Sequence, residues 1–186
     1  MGVEASRTVI RVGHHQAARD LPVRRIRESS TPSRSSTDTI SAMEYRPLGN
    51  TGLDVSVLSF GAASLGSVYR DIDESEGVRT VERALDLGIN FIDVSPYYGL
   101  TKAETVLGRA LAGIARDRYF LATKAGRYGL DIDAFDFSAA RIRASLEESL
   151  QRLGVDSIDL FQLHDIEFGS MTTIMEESIP TMQALK

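Results

Sequence analysis

"YFLATKAGRYGLDIDAFDFSAARIRASLEESLQRLGVDSIDLFQLH", residues 119–164, holds one full turn of the pattern that decides the fold. It opens on the short apolar run "YFLATK" (119–124), which reads as a strand. "FSAARIRASLEESLQRLG" (137–154) follows and is helical, because Ile142, Leu146, Leu150 and Leu153 recur along one stripe. Ser138 stands where an N-cap belongs, and Gly154 where a helix stops. "SIDLFQLH" (157–164) then returns to strand. Two such strands joined through a helix predict parallel pairing by a right-handed crossover.

The same unit recurs upstream. "EYRPLGNTGLDVSVLSFGAA" (44–63) reads as a hairpin about Gly49–Gly52, running into a first strand "VSVLSFG" (55–61). "ESEGVRTVERALDLG" (74–88) sets Val78, Val81 and Leu85 at helical spacing and stops at Gly88. "INFIDV" (89–94) is a strand, "KAETVLGRALAG" (102–113) a helix, and "MTTIMEESIPTMQALK" (171–186) starts another helix. Four βα units after a capping hairpin imply a parallel sheet, either doubly wound or part of a (β/α)8 barrel. The first strand's turn, "FGAASLGSVY" (60–69), lacks the G-x-G-x-x-G of a dinucleotide-binding doubly wound sheet, which favours the barrel. A full barrel takes about 250 residues. The 144 residues from Met43 to Lys186 are therefore expected to be the N-terminal half of one.

Composition sets the outer bounds. The 186 residues have the apolar and charged content of a globular chain, with no apolar stretch of the roughly 20 residues that span a bilayer. Absence of cysteine excludes disulfides and thiolate catalysis. The net charge of −5 argues against a general nucleic-acid binder. Residues 1–42 differ: seven arginines against four acids give +3, leaving −8 for the remainder. With "ESSTPSRSSTDT" (28–39) they read as a disordered extension that builds no core, compatible with an organellar transit peptide. The expected compartment is the cytosol, or a plastid or mitochondrion if that segment targets.

In parallel βα folds chemistry gathers at the C-terminal ends of the strands. Asp93 ends the second strand, with Tyr98 in the loop behind it; Lys124 ends the third and His164 the fourth. Period-2 alternation puts Phe91 with Asp93, Ala122 with Lys124, and Leu160 and Gln162 with His164. If those faces point inward, the polar groups converge at the mouth. Singly, each has an ordinary explanation: an Asp that caps a turn, a Tyr that packs. Lys124, however, is the only lysine of three that follows an apolar strand, and His164 the only histidine beyond the extension. A buried lysine is costly without a counter-ion, and Asp93 is the natural one. A phenol titrates near ~10, and a neighbouring ammonium favours its ionised form. The set fits proton transfer coupled to hydride transfer: Asp93 holds Lys124, Lys124 activates Tyr98, and His164 orients a substrate oxygen.

"NFIDVSPYYG" (90–99), "LATKAG" (121–126) and "LFQLHD" (160–165) together resemble the aldo-keto reductases, as does the opening hairpin, over Met43 to Lys186. The resemblance implies a (β/α)8 barrel that uses a nicotinamide cofactor, NAD or also NADP, without a Rossmann motif. It casts Tyr98 as general acid/base, Lys124 and Asp93 as its tuning pair, and His164 as the residue that orients substrate. Tyr98 is preferred to its neighbour Tyr97 by its spacing from Asp93 and by the following Gly99. Gly61, Ala62 and Ala63, with Asp93, would lie near the nicotinamide. "SPYYG", "ATKAGRYG", "FDFSAARIRASLEESLQRL" and "HDIEFGS" are most similar to plant-type members that oxidise C1 of L-galactose to its lactone on the route to ascorbate. Alternatives are action on other aldoses or pyridoxal-like aldehydes, or a non-catalytic regulatory or interaction subunit. Expected partners are a sugar but neither nucleic acid, membrane nor metal, with the complete protein a monomer or weak dimer. Most cofactor-binding residues of the family fall on strands five to eight, beyond "TMQALK", so this chain alone is expected to self-associate and to be a poor dehydrogenase.

Overall fold

The computed structural model describes Val12–Gly13 and residues 43–186. An antiparallel hairpin comes first, β1 (Tyr45–Pro47) against β2 (Asp54–Ser56), with Arg46 facing Val55 in register. Four parallel strands follow: β3 (Phe60–Gly61), β4 (Phe91–Asp93), β5 (Phe120–Ala125) and β6 (Leu160–Leu163). They alternate with helices α1 (Glu74–Asp86), α2 (Lys102–Leu111) and α3 (Ala139–Leu153). The sheet order is β3-β4-β5-β6, each strand beside the next in sequence. A doubly wound sheet reverses its order at a switch point. This one runs in a single direction, as the wall of a barrel does. Among the described residues β3 and β6 each pair on one side only within this sheet.

The expected strand 55–61 is in fact two. Ser56 ends the hairpin, its Oγ donating to Leu58 O at 2.5 Å, and the chain bends before Phe60 starts the parallel sheet. Val57 and Leu58 are exposed in that bend, so this apolar run is no continuous buried strand. Asn90 fastens the hairpin to the start of β4: its Oδ1 accepts from Ser56 N at 2.7 Å and its Nδ2 donates to Asp54 O at 3.0 Å. "SIDLFQLH" is likewise interrupted at Asp159; Ser157–Ile158 form a separate short strand that pairs antiparallel with Val12–Gly13. Composition gives no sign of that pairing, and the reading of residues 1–42 as a disordered extension otherwise lies outside the described residues.

Helix ends follow their caps. Ser138 accepts from Arg141 N to open α3, and Gly154 closes it at φ 66°. The helical stripes meet the outer face of the sheet, where Val81, Val106, Leu107, Ile142, Leu146 and Leu153 enclose Ile92, Leu121 and Phe161. Within this layer lies a carboxylate. Glu104 of α2 has no solvent exposure; it accepts from Thr123 Oγ1 of β5 at 2.7 Å and from Arg152 Nε of α3 at 2.7 Å. The last helical segment, 171–184, passes through a π-turn at Ile174–Ser178. Pro180 accounts for the wider turn, since it has no N–H to give and its ring crowds the carbonyl four residues back.

Removing one partner from a buried ion pair strands the other charge. Glu104→Gln is therefore expected to cost roughly 3 kcal/mol in urea unfolding. Glu44→Gln, at an exposed pair with Arg46, should change stability by under about 0.5 kcal/mol. A Glu104→Gln cost below about 1 kcal/mol would show that the buried pair is not what joins the layers.

Candidate active site

Strand register brings the predicted residues to one place. Asp93 lies beside Ala122, Ala122 beside Leu160, and Lys124 beside Gln162, so their side chains share the inner face of the sheet. Lys124 is nearly buried and donates from Nζ to Asp93 Oδ2 at 2.6 Å and to Val94 O at 2.9 Å. An ammonium has three protons. Two are thereby engaged, and the charge stands 4.9 Å from the centre of the Tyr98 ring. Gln162, not singled out from sequence, steadies the pair by donating to Asp93 Oδ1 at 3.4 Å.

Tyr98 is held by a contact between two backbones. A 3-10 turn, Ala62–Gly66, follows β3, and its last residue presses on the loop that carries the tyrosine. A Cβ on Gly66 would sit 2.6 Å from Tyr98 O, and one on Gly99 only 2.1 Å from Gly66 O. Gly99 also has φ +62°. Only glycines allow this approach. The expected cofactor-side residues divide: Gly61 is open, with nothing within 4 Å of where a Cβ would stand, whereas the Ala62 methyl is buried in the core and Ala63 is half-buried. Gly61 is the register partner of Asp93. The open backbone at Gly61 thus stands beside the Asp93–Lys124 pair, with room for a group to approach it where a side chain would otherwise stand.

His164 completes the group. Its ring meets Tyr97 and Tyr98 edge-on at 5.8 and 5.7 Å between centres. Nδ1 lies 3.1 Å from Ser95 Oγ, and Nε2 3.8 Å from Asp165 Oδ1. Burial pulls the imidazole pKa below its usual value, with Lys124 and Arg127 adding to the fall, while Asp165 and Asp93 oppose it. Arg127 lies 3.5 Å over the Tyr97 ring and pairs with Asp165 at 2.6 Å, making a charged rim. Ser95 was legible in principle: two residues past Asp93, it falls on the same side by alternation. Arg127 and Asp165 lie in loops that no periodicity reaches.

Among the described residues no helix is long and apolar enough to cross a membrane. A family model described as "Aldo/keto reductase family" matches residues 57–186. L-galactose dehydrogenase of Arabidopsis thaliana is 51% identical over 77% of this chain and 45% of its own length. D-threo-aldose 1-dehydrogenase of a Pseudomonas species is 35% identical over 73% of this chain and 47% of its own length. The holo form of an aldo-keto reductase from Bacillus halodurans superposes with a TM-score of 0.66, at 37% identity, covering 77% of this chain and 46% of that one. The chain thus spans about half the length of the curated relatives it matches.

A histidine whose folded pKa is lowered stabilises the fold above its unfolded value, near about 6.5, and that contribution is lost as pH falls toward the folded value. The urea midpoint should therefore drop on acidification below about pH 6.5, and His164→Gln should remove that component. Parallel curves for the two proteins between about pH 5 and 7.5 would mean that His164 is not buried as a neutral ring.

Proposed function

The chain belongs to the aldo/keto reductase family, and we propose that it carries the acid–base half of a sugar dehydrogenase that oxidises C1 of an aldose, L-galactose, to the lactone with NAD. The observation that carries the reading is the Asp93–Lys124 pair at 2.6 Å beneath Tyr98, with His164 against the same phenol. Likeness to L-galactose dehydrogenase and to D-threo-aldose 1-dehydrogenase supports a sugar substrate.

A nicotinamide, when bound, accepts the hydride from C1. Gly61 and the backbone of Ala62 and Ala63 would lie against it, with Asp93 at its edge. Tyr98 takes the proton of the C1 hydroxyl. Lys124, held by Asp93 and Val94 O, supplies positive charge beside the ring and so stabilises negative charge on the phenolic oxygen as that proton moves. His164 hydrogen-bonds the same substrate oxygen and fixes its direction. The charged rim of Arg127 and Asp165 offers partners to the remaining hydroxyls of a sugar.

In an active preparation, Tyr98→Phe should lower kcat for L-galactose oxidation by about 10²–10⁴-fold with NADH affinity nearly unchanged. Tyr97→Phe should cost far less, because its ring, not its hydroxyl, meets Arg127 and His164. A loss below tenfold for Tyr98→Phe would remove the acid/base assignment.

The two strand edges bear on the chain by itself. Among the described residues no strand covers the outer edges of β3 and β6, and open N–H and C=O groups there invite pairing with another copy. Purified residues 43–186 are expected to run as a dimer or larger species, by light scattering, with negligible NADH or NADPH affinity. A monomer that binds either nucleotide would overturn this expectation.

A further inference from the structure

Ser95 has no solvent exposure, and its hydroxyl reaches the ring of a proposed site residue. Its Oγ has two partners among the described residues: Tyr97 N at 3.2 Å and His164 Nδ1 at 3.1 Å. The backbone N–H of Tyr97 can only donate, so it occupies an Oγ lone pair. The single hydroxyl proton then has one acceptor within reach, Nδ1. An imidazole nitrogen that accepts carries no proton, so the neutral ring keeps its proton on Nε2. The nearest carboxylate oxygen, Asp165 Oδ1 at 3.8 Å, is too far to take that N–H. It stays available to a ligand.

We propose that Ser95 is a positioning residue that holds His164 as the neutral Nε2–H tautomer, so that the ring donates a hydrogen bond to the reacting oxygen of the substrate. This rests on the functional reading above. The tautomer decides the outcome. As C1–OH becomes C1=O, its oxygen keeps only lone pairs to offer, and an Nε2 lone pair would repel them where an N–H attracts. The charged groups around the ring are Asp165, Arg127, Lys124 and Asp93, and none lies within hydrogen-bonding distance of Nδ1. Among the described residues Ser95 alone hydrogen-bonds Nδ1, and so is placed to select the protonated nitrogen.

The test is long-range proton–nitrogen NMR on the full chain labelled with ¹⁵N-histidine, above the ring's ordinary titration range near about 6.5. The His164 signals are assigned by their loss in His164→Asn. In the unsubstituted chain Nδ1 is expected to show the shift of a hydrogen-bonded acceptor and Nε2 that of a protonated nitrogen. Ser95→Ala should move Nδ1 toward an unbonded or tautomer-averaged position, and Ser95→Thr should restore it. A protonated Nδ1 in the unsubstituted chain overturns the proposal, as do nitrogen shifts unchanged in Ser95→Ala. If Ser95→Ala fails to fold, the unsubstituted spectrum and the threonine variant decide alone. In an active preparation Ser95→Ala should lower kcat about tenfold with KM little changed. Failure of a preparation that binds NADH and carries these residues to oxidise any aldose would remove the functional reading while leaving the tautomer result intact, so the two fail separately.

Discussion

A carboxylate sealed from water governs how the layers of this molecule meet. Glu104 stands where three elements cross: it is on α2, accepts from Thr123 on β5, and is matched by Arg152 of α3. An ion in that position must be fully paired or the fold is penalised by several kcal/mol, roughly the size of a small protein's net stability. The condition is met only when all three elements share one register. Thr123 precedes Lys124, and α2 begins just beyond the loop that bears Tyr98. One buried pairing thus orders the scaffold behind both the ammonium and the phenol.

The mouth of the sheet follows a different rule, alternation of charge. Lys124 answers Asp93, and Arg127 answers Asp165. Between these pairs His164 is enclosed by aromatic rings and held toward neutrality by burial. Three polar side chains thus stand side by side in different environments: an ammonium paired with a carboxylate, a phenol, and an imidazole that burial biases against protonation.

Much of this was legible because it is periodic or terminal. Ser138 and Gly154 mark α3 to the residue, and alternation puts Asp93 and Lys124 on one face, although β5 runs one residue past Lys124 and β6 stops at Leu163, just short of His164. What escaped was non-local. Glu104 reads as an ordinary helical acid, since its partner Arg152 lies 48 residues away and burial leaves no mark in composition. The break at Val57–Ser59 hides inside an apolar run, because the residue that fastens the end of the hairpin is Asn90, 34 positions beyond Ser56 and just before β4. The Gly66–Gly99 contact is similar: each glycine looks like a turn residue until the two loops are seen to touch.

The single-direction order of the parallel strands has a consequence for how the molecule is made. Each strand of the sheet finds its neighbour in the strand synthesised just before it. Every pairing closes a loop of only a few dozen residues, and loop-closure entropy grows slowly with length. A growing chain can therefore dock β4 on β3, then β5 on β4, without waiting for distant sequence. The Glu104–Arg152 pairing forms only once α3 is complete, so it acts as a late lock on an assembly begun from the N-terminal side. Order along the ribosome and order across the sheet are then the same.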